Sequence, residues 1–142
     1  MSESKPFDFF ELHDSILEKL EFNFEEHTVL LEIKSVGLYF QRQVDLFEVW
    51  NARARIILRG VKEVAISGHV EHGALIINGG FLDANDQEGT FAYEGQSLPA
   101  RSFFLESLCY QIHIECEQVT LDKIELIGRQ DDWIGPLTSS KT

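Results

Sequence analysis

Apolar and polar residues alternate with a period of two over much of the chain, the pattern of strands that bury one face. From Ile16 to Phe24 the even positions are Ile16, Glu18, Leu20, Phe22 and Phe24, and the odd ones are Leu17, Lys19, Glu21 and Asn23. Val29, Leu31 and Ile33 resume the alternation against Leu30, Glu32 and Lys34. With Glu25-Glu26-His27-Thr28 as the turn, these two runs predict a β-hairpin. Ala54, Ile56 and Leu58 alternate with Arg53, Arg55, Ile57 and Arg59 until Gly60 interrupts them, so Arg53–Ile66 reads as two strands or one bulged strand. Gly73–Leu82 and Gly89–Tyr93 flank the polar run Asp83–Glu88 and predict a second hairpin. The cleanest alternation puts Tyr110, Ile112, Ile114 and Cys116 on one face and Gln111, His113, Glu115 and Glu117 on the other. A turn around Thr120 and a last strand, Lys123–Gly128, follow.

Helical signals are few. Val44, Phe47 and Trp50 stand at i, i+3 and i+6 and predict two short helical turns, with a β-edge as the alternative. Ser15-Ile16-Leu17-Glu18 matches a capping box, but the alternation that follows favours a strand. Proline occurs only at Pro6, Pro99 and Pro136, which leaves a long interior free to join sheet ladders. Short strands with polar turns between them predict a mostly β fold, an antiparallel β-sandwich or partly closed barrel with one or two short helices. No Gly-rich fingerprint follows a strand and opens a helix, which excludes a Rossmann or P-loop domain.

The 142 residues, at 16.3 kDa, suffice for a single domain spanning 1–142 that folds without disulfides or a structural metal, its ends 1–5 and 138–142 frayed. Twelve basic residues face 24 acidic ones, for a net charge of −12. Such a chain does not suit the phosphates of nucleic acid or an anionic membrane. The longest run free of Asp, Glu, Lys and Arg, His72–Leu82, is about half of the ~20 residues a membrane-spanning helix needs. No cationic start precedes an apolar run at the N-terminus, so a cytoplasmic location is expected. Cys109 and Cys116 are an odd number of positions apart, which sends them to opposite faces of one strand as reduced thiols.

Charge is also uneven along the chain. Residues 33–72 carry Lys34, Arg42, Arg53, Arg55, Arg59 and Lys62 against four acids, whereas both flanking regions are strongly acidic. Arg53, Arg55 and Arg59 share a parity and form a stripe on one strand face, either paired with acids of a neighbouring strand or open as a small anion site.

Three clusters hold residue types that can do chemistry. His13-Asp14-Ser15 combines a base, a carboxylate and a hydroxyl, but consecutive residues cannot hold the in-line geometry of a triad. His13 and Asp14 remain candidates to line a ligand site. His69, Glu71 and His72 lie between Gly68 and Gly73; His69 and His72, with His113, are weak candidate zinc ligands, but no HExxH helix or cysteine pair completes a zinc set. The loop Asp83–Gly89 brings oxygen ligands together as a calcium loop does, but its glycine and its twelfth residue are misplaced for an EF-hand. No metal and no cofactor are expected.

The segment Phe10-Glu11-Leu12-His13-Asp14-Ser15-Ile16-Leu17, running into the hairpin Leu20–Phe24 and Thr28–Ile33, resembles a broad group of small bacterial β-rich proteins. In these, a hydrophobic–His–Asp–(Ser or Ala) segment enters a β-meander, and some members look like immunity proteins that protect a cell from a toxin encoded beside them. The resemblance transfers no site residue. It implies a non-enzymatic domain that binds a protein partner, an immunity-type inhibitor whose acidic surface would speed encounter with a basic toxin. The alternative is a small-ligand-binding barrel or hydrolase that uses the histidines with Arg53, Arg55 or Arg59. Eleven Phe residues also leave a homo-oligomer open.

Overall fold

The computed structural model describes residues 6–71 and 73–135. They form twelve β-strands and no helix: β1 (Phe9–Glu11), β2 (Ser15–Asn23), β3 (Thr28–Gln43), β4 (Leu46–Arg59), β5 (Glu63–Gly68), β6 (Leu75–Leu82), β7 (Glu88–Gly89), β8 (Ser97–Pro99), β9 (Ser102–Ser107), β10 (Tyr110–Glu115), β11 (Gln118–Arg129) and β12 (Trp133–Ile134). All pair antiparallel along the path β5-β10-β9-β6-β2-β3-β4-β11-β8; β1 adds to β3, β12 to β4 and β7 to β6. The path does not close, so the fold is mostly β and belongs with sandwiches and open barrels.

The sheet has two halves, β5-β10-β9-β6 and β2-β3-β4-β11-β8, joined only where Ser15 and Ile16 of β2 pair with Ile76 and Leu75 of β6. Side chains of both halves enter one core, in which Leu31, Ile33, Ile56 and Leu58 share a cluster with Ile76, Phe103, Ile112 and Ile114. The sheet therefore turns back on itself at this joint and buries both inner faces together. The predicted parities hold: Val29, Leu31 and Ile33 are buried, as are Ala54, Ile56 and Leu58, and Tyr110, Ile112, Ile114 and Cys116. Between Ile33 and Val36 a bulge, with Ser35 at φ 63°, inserts one residue into β3. It moves the buried set from odd to even positions, so that Val36, Leu38 and Phe40 still face inward.

The first hairpin forms as predicted, with Asn23 opposite Thr28; the second forms with Phe81 and Leu82 opposite Gly89 and Glu88, but its returning strand is only Glu88–Gly89 and the predicted Thr90–Tyr93 does not continue it. Gly60, at φ 65°, ends β4 and makes Arg53–Ile66 two strands. Three expectations are corrected. Val44–Trp50 is not helical: Val44 sits in the β3–β4 turn, and Phe47, Val49 and Trp50 lie in β4 between β3 and the β11–β12 side, where β-branched and aromatic residues pack well. No turn falls at Thr120, and the last long strand is Gln118–Arg129. The Thr120 hydroxyl accepts from Arg59 Nη1 at 2.9 Å and lies 2.7 Å from Ser97 Oγ, which suits a continuous strand; the irregularity comes two residues later, as a bulge at Asp122. Strands β1, β8, β9 and β12 add to those predicted. The ends expected to fray lie outside the described residues.

The two cysteines are free thiols, Cys109 half-buried and Cys116 buried. Burial is the main cause that pushes the Cys116 thiol up to about 11. Burial, then Glu71, also raises that of Cys109, while the Ser107 hydroxyl opposes the rise. Because the thiolate is the reactive species, a disulfide reagent at neutral pH should modify Cys109 slowly in the native protein and Cys116 only after unfolding. Equal rates for both in native buffer would contradict this packing.

Candidate functional site

The structure disperses the residues singled out in the sequence. His13 and Asp14 form the turn between β1 and β2, with Asp14 at φ 68°; His13 Nδ1 lies 3.3 Å from Asp14 Oδ2, and both are exposed. Ser15 is fully buried, and its hydroxyl donates to the Leu12 carbonyl, so it serves the turn. Arg53 donates to Glu18 of β2 at 2.9 Å and reaches Glu125 of β11, and Arg55 pairs with Glu32 of β3 and Asp122 of β11. Arg59 donates to the Thr120 hydroxyl. Arg53 and Arg55 are thus cross-strand pairs on a solvated face, and the pairing with Glu18 is the main reason the Arg53 guanidinium is held above its usual range.

His69 follows β5, its backbone N–H bonded to the Cys109 carbonyl, whereas His113 points outward from β10, opposite Ala65 and Phe104. His113 stands opposite Ala65, four residues before His69, which places the two histidines on the order of 13 Å apart along the strand direction, too far to share a ligand ion. His72 lies outside the described residues. Among those described, no group of three His, Cys, Asp or Glu side chains is placed to hold a metal ion. The Asp83–Gly89 loop is a self-satisfied turn: Asp83 Oδ1 accepts from the backbone N–H groups of Asn85 and Gln87, and Asp86 pairs with Arg101.

A site does form where the two halves of the sheet fail to meet. β5 pairs only with β10, and β2 pairs with β6 only at Ser15 and Ile16, so the rest of β2 has no partner on that side. Between them opens a groove of about 530 Å³, within the range of ordinary ligand sites. The ladder registers show how it is built. Val64 and Ile66 stand opposite the buried Ile114 and Ile112, and Phe22 stands opposite the buried Val29, so all three share the inner face of their strands. No strand lies over them, which leaves Phe22 37% and Ile66 44% exposed. Phe24, 85% exposed, stacks on Phe22 at 5.9 Å with the rings nearly parallel. Val61 completes the apolar lining, and one end is closed by the Val61 N–H bonded to the His27 carbonyl.

Charge in the lining is mixed, with Glu63 beside Lys62 and His27, and acidic groups stand next to it: Lys62 is balanced by Glu117 at 3.7 Å, whereas Glu63, its cross-strand neighbour Glu115 and the turn residues Glu25 and Glu26 form no ion pair among the described residues. Glu63 and Glu115 are direct cross-strand partners, a like-charge arrangement that costs stability in a sheet.

Comparison of the chain with protein-family models, with curated proteins and with solved structures finds no match.

The groove was not expected from the sequence. Phe22, Val64 and Ile66 carry the parity of core residues, and parity does not tell whether a second sheet covers a position. The hint lay in Phe22 and Phe24 placed at the acidic turn Glu25-Glu26, where a strand end seldom finds cover. Among the described residues no helix is long and apolar enough to cross a membrane.

Proposed function

We propose that this chain is a non-enzymatic protein-binding domain whose partner is basic, in the manner of an immunity-type inhibitor that captures a cationic toxin. One observation carries the reading: an open apolar groove, lined by Phe22, Val64 and Ile66, with Glu63 in its lining and Glu25, Glu26 and Glu115 next to it in the chain or the ladder, none of the four in an ion pair among the described residues. Exposed apolar area beside unpaired charge of one sign is what an interface presents before its partner arrives. The net charge of −12 would accelerate encounter with a cationic surface and make it sensitive to salt. Among the described residues His13, His69 and His113 stand on separate elements, which supports protein binding over the hydrolase alternative.

Tagged protein recovered from its native cells should bring down one stoichiometric, basic protein at low salt and lose most of it at raised salt. A variant carrying Glu25→Lys, Glu26→Lys and Glu63→Lys should lose it at both. Recovery of the chain alone at either salt, or a partner indifferent to the triple reversal, would overturn the proposal.

A further inference from the structure

The groove has two features that a general apolar patch would lack: a strand edge along its side and an alternation of chemistry across that edge. β5 is the terminal strand of the path, so one row of its backbone N–H and C=O groups has no ladder partner among the described strands. Proteins shield such edges with proline, lysine, bulges or covering loops. β5 contains no proline and no lysine and pairs in unbroken register with β10 from Glu63 to Gly68. Its inward positions, Val64 and Ile66, face the groove, while its outward position Glu63 stands beside Glu115. An arriving strand would meet apolar surface on one side of its pleat and negative charge on the other.

We infer that β5 accepts one further strand, an extended partner segment that alternates apolar and basic residues. This rests on the protein-binding reading above and specifies its mode. Side chains opposite Val64 and Ile66 enter the groove and pack beneath the Phe22–Phe24 stack, and a Lys or Arg opposite Glu63 supplies the cation that the Glu63–Glu115 pair lacks. Main-chain bonds to β5 hold the segment, and the alternation selects it. The six residues of β5 limit the paired length.

The probe is a synthetic peptide alternating valine and lysine, of about the length of β5, titrated into the purified full chain. Two backbone-methylated versions are prepared, one at the even and one at the odd amides, because an added strand uses the donors of one edge only. One methylated peptide should bind like the parent and the other at least about tenfold more weakly. Ile66→Glu should weaken the parent peptide by about tenfold or more, and Glu63→Lys should weaken it and flatten its salt dependence. Both replacements are at exposed positions, so circular dichroism should show an unchanged fold. Equal binding of both methylated peptides, or indifference to Ile66→Glu and Glu63→Lys, would overturn strand addition. A native partner whose capture survives Ile66→Glu would overturn strand addition and leave the protein-binding reading standing; absence of both partner and peptide binding would remove the two together.

Discussion

Replacing Phe103 with alanine should lower the unfolding free energy by about 3–5 kcal/mol. Phe103 is 1% exposed and among the largest fully buried side chains, on β9 opposite Phe81 of β6 and Ile114 of β10. Its truncation opens a cavity between strands held on both sides by ladders, which restricts how far they can close over it. The neighbouring Phe104 points to the other face, opposite His113 and Gly80, and is only half-buried. Phe104→Ala should cost less than half as much. Denaturant unfolding of both variants measures the difference; equal losses would mean that the register of β9 is shifted by one residue, which reverses every side chain in a strand.

The second large effect is expected at Gly68, the last residue of β5. Its φ of 87° lies where an L side chain is strained, and a Cβ there would overlap the backbone carbonyl oxygen of Cys109. The Cys109 carbonyl lies in the β9–β10 turn and accepts from the His69 N–H, so it cannot move aside as a side-chain tip can, and Gly68→Ala should cost about 2–4 kcal/mol and loosen the β5–β10 pairing. Gly73 separates the two contributions. Its φ is 84°, but a Cβ there would meet nothing within 4 Å, so Gly73→Ala should cost only about 1 kcal/mol, the conformational part. If the two variants are equally stable, the close approach of Cys109 has no energetic role.

The sequence reveals strands wherever a single alternation runs uninterrupted, as in Val29–Ile33, Ala54–Leu58 and Tyr110–Cys116. It conceals them where the alternation is broken by something physical. The bulge at Ser35 reverses the parity of β3 midway, so Val36, Leu38 and Phe40 do not extend the pattern of the first half. In β9, Phe103-Phe104-Leu105 places an apolar residue on the outer face as well, which erases the period. Val44, Phe47 and Trp50 fit a helical spacing only because a turn residue, a buried residue and a half-buried one happen to fall three apart. The Arg53–Arg55 stripe was legible as far as its pairing with acids on adjacent strands. The groove was not, because exposure of Phe22 and Ile66 depends on where two sheet edges part, a relation between positions far apart in the chain.

That parting also bears on the order in which the molecule assembles. β2, β3 and β4 follow one another through short turns, so their ladders can zip from contacts close in sequence. The joint between the halves links Ser15 to Ile76 through two residue pairs, after some sixty residues of chain have been brought round, an entropic cost with little local reward. The meander β2-β3-β4 should therefore form early, and closure of the joint should be a late, rate-determining step, during which the faces of both halves are open to solvent together.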